Sequence, residues 1–365
     1  MSDRKLASVQ RIVNLEPIEG ADKIEKCTVL GWQLVVQKGI HKVGDLVVYC
    51  ETDSILPPKP EFEFLRERKF RIKTIKLRKQ VSQGIAFPLS ILPPKKFSSY
   101  SEGDDVTSIL GIVKHDPEAQ SEPVERGYQG KSKILKYLMR FWTFRKLYLT
   151  FTRKRTRGWP KWIEKTDETR VQVCASVFTS RFGEQWELTE KLDGSSATFF
   201  MHKAGVIGNR TFGVCSRNIY LKKEDDSRWW RAANMYGLKN KMIGLKKDYV
   251  IQGEVIGEGI QGNKYGLTGV DFYVFNMLYC GKRLRRDEMS ELCTMLGLKM
   301  VPFLGVLKMA KCETIEAVKT LVELSKGDSA LKPGVKREGI VVRLASDPHV
   351  SFKAINPDFL LKYDE

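Results

Sequence analysis

The chain has 365 residues, 42% of them hydrophobic, which is enough for about two ordinary cores. Its formal net charge of +18 points to a polyanionic partner, most simply a nucleic acid, held in a salt-dependent way. Seven cysteines without a C-x-x-C spacing and only four histidines argue against a zinc site and against a disulfide framework, and they fit a reducing compartment. The N-terminal Met1-Ser2-Asp3-Arg4-Lys5 has no apolar signal core, and no run approaches about 18 apolar residues. These features predict a soluble intracellular protein, cytoplasmic or nuclear, with no membrane partner.

In chain order, Val9–Val13, Cys27–Leu30, Gln33–Val36 and Leu46–Cys50 read as short strands. Turns containing Gly20, Gly39 and Gly44 separate them. A small antiparallel barrel over residues 1–113 is expected, best an OB-fold, which fits five strands into this length and commonly binds oligonucleotides. Within it, residues 66–79 carry Arg66, Arg68, Lys69, Arg71, Lys73, Lys76, Arg78 and Lys79 against one acid, Glu67. Phe70, Ile72, Ile75 and Leu77 are interleaved. The pattern predicts a half-buried strand with a cationic outer face, and Arg66, Arg68, Lys69, Arg71, Lys73 and Lys76 are candidate phosphate contacts. A solvated face that needs charge only for solubility has the same pattern. Gln83–Pro88 reads as a closing strand ended by proline.

Residues 114–164 read as a connection. It begins as a polar linker, and from Lys131 to Arg157 the chain has ten cations and no acids, mixed with Tyr137, Phe141, Trp142, Phe144, Tyr148 and Phe151. Ile134, Leu135, Leu138 and Phe141 stand at helical spacing. Such a basic amphipathic helix suits RNA, an anionic membrane surface, or packing on a domain with its basic face solvated; packing with nucleic-acid contact is the reading favoured here.

Residues 165–365 mix longer strands with helices, an α+β pattern. Asp287–Leu296 is a predicted helix with Met289, Leu292, Cys293 and Leu296 on one face and Gly297 as its stop. Thr314–Leu324, with Ile315, Val318 and Val322 aligned, and Ser227–Met235 are two more. Polar residues sit in or beside the strand-like runs: Lys191 in Glu190-Lys191-Leu192-Asp193-Gly194, then Arg217, Glu254, Phe275, Glu338 and Lys353. Each alone has a bland explanation. K-x-D-G is a common charged turn, Phe275 in an apolar run fits a core, Glu338 after Lys336-Arg337 fits a surface pair, and Arg217 fits one more surface cation.

As an ordered set, lysine, arginine, glutamate, aromatic, glutamate, lysine resembles the six motifs of covalent nucleotidyltransferases, the polynucleotide ligases and mRNA capping enzymes. Pro17–Glu25, Val43–Tyr49 and Lys165–Gln172 narrow the match. The chain resembles the ATP-dependent RNA ligase family that carries an OB domain at its N-terminus. The resemblance implies an α+β protein: an OB-fold β-barrel, then an adenylyltransferase (ATP-grasp-like nucleotidyltransferase) domain of antiparallel sheets with flanking helices over residues 165–365. It implies a monomer that uses ATP with Mg²⁺ or Mn²⁺ to join RNA 3′-OH and 5′-phosphate ends, in nicks or with RNA on the 3′-OH side, in RNA repair.

By the same resemblance Lys191 is the nucleophile that carries AMP, and Lys353 holds the α-phosphate. Glu190, Asp193 and Gly194 line the nucleotide beside Lys191. Arg217 contacts the ribose or the incoming phosphate, Glu254 contacts the ribose hydroxyls, and Phe275 stacks on adenine. Glu338, and with it Glu254, holds the metal. Related ligases often show K-x-K in the last motif; here Ser351 takes the earlier position, and Lys362 has no assignable role. No length remains after Lys353 for a C-terminal OB domain, which argues against a capping-type guanylyltransferase. The other alternative is a non-catalytic RNA-binding protein, against which the intact Lys191, Asp193, Gly194, Glu254 and Glu338 speak.

Overall fold

A computed structural model describes residues 4–94, 99–115, 157–203, 210–221, 224–245 and 247–363. Most of the predicted linker, and the basic aromatic segment up to residue 156, lie outside the described residues. The chain divides into two compact units. One draws on 1–116, 167–193 and 301–365, the other on 117–166 and 194–300.

The first unit opens with a curled five-stranded antiparallel half-barrel. Its strand order is Trp32–Gln37, Ile24–Val29, Ala7–Pro17, Leu46–Cys50, Ile85–Pro88. Alternation explains its two buried faces. Val48 and Cys50 pack with Val9, Phe62, Ile72 and Phe87 on one side. Val47 and Tyr49 pack with Ile12, Trp32 and Leu34 on the other.

The expected continuous strand over residues 66–79 is not present. Pro60–Arg68 is a 3-10 segment with proline in its first turn, and Phe62 and Leu65, three apart, supply its buried side. Lys69 and Phe70 are both left-handed (φ 52° and 60°), which ends any extended run. Only Thr74–Leu77 is strand, turned back onto Gln80–Gln83 through Arg78 and Lys79, again left-handed at φ 46° and 66°. The interleaved apolar residues had suggested a period of two. Here Ile72 is buried by a loop, and Leu77 is exposed.

The second part of this unit is a five-stranded sheet. Its order is Thr169–Arg170, Ser351–Ile355, Gly339–Leu344, Trp186–Lys191, Phe303–Leu307. It is mixed rather than purely antiparallel, because Thr169–Arg170 runs parallel to Phe352-Lys353. Helices Val171–Thr179 and Thr314–Ser325 cover one face around Phe178, Trp186 and Phe352, whose rings lie 4.9 to 5.6 Å apart. Helix Thr314–Ser325 buries Ala317, Val318, Leu321 and Ser325, so its face is turned slightly from the predicted Ile315–Val318–Val322 line.

The second unit is an eight-stranded sheet ordered Arg157–Gly158, Ile219–Leu221, Arg210–Cys215, Ser195–Lys203, Tyr249–Gly257, Val270–Tyr279, Lys282–Arg283. Lys299–Met300 adds to Val270–Tyr279 in parallel. Helices Arg228–Met235 and Arg286–Leu296 form as expected. The first is capped by the Ser227 hydroxyl, which accepts from the Trp230 amide, and the second ends at left-handed Gly297. No helix among the described residues is long and apolar enough to cross a membrane.

Candidate active site

Strand Trp186–Lys191 alternates strictly. Trp186, Leu188 and Glu190 turn into the helix-covered core, while Glu187, Thr189 and Lys191 lie on the opposite face. Lys191 is the last residue of the strand and pairs with Gly339. Its Nζ donates to Glu338 Oε2 at 2.5 Å, with both side chains mostly buried, 26% and 17% exposed. Glycine after Glu338 follows from crowding, since a Cβ on Gly339 would run into the Ala354 carbonyl of the next strand.

Lys353 stands on that next strand, opposite Val341 and beside Arg170. Val341 and Lys353 are half-buried where their neighbours Ile340, Val342, Phe352 and Ala354 are core, so Lys353 shares the face of Lys191. Burial brings the Lys353 amine down to about 7, helped by the charges of Lys191, Arg170 and Arg4 and opposed by Asp167. Further along this face, Ser351 donates to Glu168 at 2.7 Å and Arg343 lies 3.7 Å from the same carboxylate. The serine in place of a lysine therefore holds Glu168.

Glu190 is directed elsewhere. It is buried on the core side of the strand, and its Oε2 accepts from the Ala330 amide at 2.8 Å. Burial raises its pKa against the pull of Ser329, Ala330 and Arg337. The structure thus places Glu190 on the opposite pleat from Lys191, fastening the loop before Arg337. Asp193, two residues beyond Lys191, is half-buried.

In the second unit, Gly194 leads into strand Ser195–Lys203. A Cβ there would meet the Val255 carbonyl and the side chains of Ile256 and Glu254, so only glycine fits. Glu254 is the one half-buried position in the run Val250–Gly257. Its cross-strand neighbours are Ser196 and Tyr273. Phe275 is the extra residue of a β-bulge: Gln252 pairs with Asn276 and Gly253 with Val274, which leaves Phe275 unopposed. Bulges re-aim side chains, and Phe275 is half-buried while Val274, Asn276 and Met277 around it are core. Arg217 projects from a tight turn held by buried Ser216, whose Oγ accepts from the amides of Asn218 and Ile219.

The structure therefore brings Lys191, Glu338 and Lys353 onto one sheet face of the first unit. It sets Gly194, Glu254 and Phe275 on adjacent strands of the second. Of the cationic stretch, Arg66, Arg68, Lys69 and Lys76 are exposed and Lys73 is half-buried. Arg71 is 14% exposed and ion-paired to Asp53 at 3.1 Å.

Sequence reasoning missed two sets. One is a row of neutral amides in the second unit that ends in an arginine–glutamate ion pair. Asn276 donates to Gln252 Oε1 at 2.7 Å, Gln252 donates to the Glu164 carbonyl at 2.9 Å, and Arg283 donates to the Glu164 carboxylate at 3.1 Å. The other is the ion pair of Arg170 with Asp53 at 2.8 Å, which joins the five-stranded sheet to the half-barrel. Nothing local marks either set.

No cluster of three or more His, Cys, Asp or Glu side chains suited to a metal occurs among the described residues. Mg²⁺ and Mn²⁺ are commonly held by one or two carboxylates together with substrate phosphates and water. Glu338, on a face with two lysines that suit phosphate, fits that mode.

Residues 6–89 match an OB-fold domain family, and residues 184–363 match the RNA ligase family. The sequence has no significant match among curated proteins. Solved structures of Naegleria gruberi RNA ligase are similar over the whole length. A mutant with ATP and Mn is 31% identical, with TM-score 0.80, covering 99% of this chain and 100% of that one. The ligase with pyrophosphate, and a mutant with AMP and Mn, are each 32% identical with TM-score 0.79, covering 99% of both chains. With the OB-fold half-barrel preceding the sheet that carries Lys191, Glu338 and Lys353, the chain belongs to the RNA ligase family.

Proposed function

We propose that this RNA ligase is ATP-dependent and works through AMP held covalently on Lys191. The Lys191 amine attacks the α-phosphate of ATP, a P–N bond forms, and pyrophosphate leaves. AMP then passes to the 5′-phosphate of a broken RNA. The 3′-OH displaces AMP, closing the strand. The observation that carries this reading is the gathering of Lys191, Glu338 and Lys353 on one face of one sheet.

Lys191 must be neutral to attack. Its contact with Glu338 holds the ammonium form, so the ion pair must open and the proton must leave before the P–N bond forms. The Lys191 side chain is 26% exposed, so that proton can pass to water. Lys353 then stands as the cation beside the reacting phosphate, where a fixed charge offsets the charge that develops in transfer. A divalent ion, Mg²⁺ or Mn²⁺, would be held by Glu338, with Glu254 as a second candidate, and would supply charge neutralisation at the phosphates. In the second unit we assign Glu254 to the ribose hydroxyls, Phe275 to the adenine face and Arg217 to the ribose or the incoming phosphate. Asp193 and Gly194 shape the turn after the nucleophile. Glu190 supports the site from the far side of its strand.

We assign residues 1–113 to RNA grip, with Arg66, Arg68, Lys69, Lys73 and Lys76 along the phosphates and Arg71 partly committed to Asp53. Residues 114–164 connect, and 165–365 carry the transfer chemistry. The substrate we favour is a nick in duplex RNA, or one with RNA on the 3′-OH side, and the setting is RNA repair. Incubation with α-labelled ATP and Mn²⁺ should label the protein in an acid-stable bond, and Lys191→Ala should abolish the label. Absence of label from the unmutated protein would sink the reading. A sealing panel with RNA or DNA on each side of the break tests the substrate, and equal sealing of all-DNA nicks would remove the RNA preference.

A further inference from the structure

The OB-fold half-barrel meets the catalytic sheet at an ion pair, Asp53 with Arg170, and at the Trp32 ring beside it. Asp53 sits in a left-handed conformation (φ 68°), a strained position for a residue with a side chain and one that Asp tolerates better than most. Its backbone is pinned on both sides, with its amide donating to Ile72 O at 2.9 Å and its carbonyl accepting from the His115 amide at 2.8 Å. The side chain so fixed accepts from Arg170 at 2.8 Å through one oxygen and from Arg71 at 3.1 Å through the other. Burial works against its ionisation, but Arg170, Arg4 and Arg71 outweigh burial and hold its pKa below the ordinary value.

Arg170 needs that carboxylate. Its side chain is 8% exposed, its Nε and Nη1 have no hydrogen-bond partner, and its guanidinium lies 5.3 Å from the Trp32 ring of the half-barrel. A buried guanidinium with one carboxylate partner is left uncompensated when that partner goes. Arg170 is also the strand neighbour of Lys353, in register across the parallel pair.

We propose that Asp53 is a positioning residue for the adenylylation step: it neutralises Arg170 and thereby keeps Lys353 able to carry its proton beside the nucleotide phosphates. The half-barrel is then part of the nucleotidyl-transfer machinery, not only a grip on RNA. The charged groups acting on Lys353 are Lys191, with Glu338 on its amine, from the strand beyond Gly339–Leu344, Arg170 and Asp167 from the segment beside it, and Arg4 from the half-barrel. Arg4 is committed to Glu51 at 2.6 Å. Of this set, the Asp53–Arg170 pair is the part that crosses from the half-barrel to the strand next to Lys353.

The inference rests on the roles proposed above for Lys191 and Lys353. It is tested by single-turnover formation of the AMP adduct from α-labelled ATP and Mn²⁺ without RNA, from about pH 6 to about pH 9. Asp53→Asn, which tolerates the same backbone conformation, should slow adduct formation about tenfold near neutral pH and move the alkaline limb down by about one pH unit. Asp53→Glu should restore the limb. Arg71→Gln removes a competing cation from Asp53 and should move the limb the opposite way. An unmoved limb in both folded variants overturns the proposal, and so does a slower Asp53→Asn whose profile keeps its shape. If Asp53→Asn does not fold, the direction of the Arg71→Gln shift decides. Label that survives Lys191→Ala overturns the Lys191 reading and this one with it. Label that requires Lys191, with limbs that do not move, overturns only the role of Asp53.

Discussion

The two sheets beyond the half-barrel treat polar groups in opposite ways. The five-stranded sheet collects charge on its open face: Lys191 against Glu338, Lys353 beside Arg170, and Arg343 and Ser351 around Glu168. The eight-stranded sheet relies more on neutral hydrogen bonds, such as buried Asn276 to Gln252 at 2.7 Å or half-buried Thr166 with Ser196 at 3.0 Å, with Arg283 paired to Glu164 at its edge. Charges crowded on a sheet lower one another's tolerance for protonation and desolvation. Neutral amides and hydroxyls hold shape without that tension. On the proposed reading, the first sheet handles phosphate and proton, and the second carries the residues assigned to base and sugar.

Lys353→Met breaks the comparison most sharply, because it removes a charge and keeps the bulk. Adduct formation should fall by about a hundredfold or more, as expected when a fixed charge at a transition state is lost. Stability should move the other way. The amine falls from an ordinary 10.5 to about 7 on folding, so between those values the unfolded chain binds more protons and stability rises with pH. Below about 7 the full penalty is present. Thermal melting of Lys353→Met at pH 6 should therefore exceed that of the unmutated protein by about 3 °C or more, with the gain fading as pH rises toward 10. A variant that is inactive and less stable at pH 6 would mean that Lys353 is held by compensating contacts, and the first sheet would lose its distinction.

This also shows which parts were legible in the sequence. Strand Trp186–Lys191 alternates cleanly, and its glycine-flanked neighbours follow the same period, so Lys191 and Lys353 could be placed on strands from the residues alone. The ordered motifs did the rest. Arg66–Lys79 was misread because Phe70 and Ile72 mimic a period of two, while the governing signals were Pro60, the Phe62–Leu65 spacing and two consecutive left-handed residues. The Arg170–Asp53 pair spans 117 positions of sequence. Nothing around either residue marks it, and only the docking of the half-barrel on the sheet creates it. Glu190 stands next to Lys191 in sequence, and the family resemblance implied that it lines the nucleotide with it. The pleat puts adjacent residues on opposite faces, which is why adjacency misled.

Phe275 tests the second sheet from the other direction. It lies at a bulge with core on both sides, so it is either a misplaced core residue or an aromatic surface aimed by the bulge. Phe275→Leu retains apolar volume and removes the flat face. If the ring stacks on adenine, the KM for ATP in adduct formation should rise about tenfold, within the range of about 1–3 kcal/mol for a base on an aromatic side chain, and the melting temperature should hardly change. Asn276→Leu, one residue on, should do the reverse, since it breaks the buried bond to Gln252 and takes the donor from Gln252 Oε1. A Phe275→Leu protein that melts early and binds ATP normally would return Phe275 to the core.

The smallest effects are expected on the half-barrel, where the comparison becomes one between cations that face solvent and one that faces protein. Arg66 is 68% exposed and paired with Glu63 three residues back, a contact of little net worth at that exposure. Arg66→Ala or Lys76→Ala should weaken RNA binding a fewfold, equally across sequences, and each should reduce the slope of log affinity against log salt by about one. Adduct formation without RNA should not change in either. Arg71→Gln should differ in kind: because its guanidinium is turned to Asp53, its effect should fall on the pH profile of the RNA-free step, with a smaller change in the salt slope than Arg66→Ala produces. Equal salt slopes for Arg71→Gln and Arg66→Ala would show that the ion pair leaves Arg71 as available to phosphate as its exposed neighbours, and the half-barrel would then act through RNA alone.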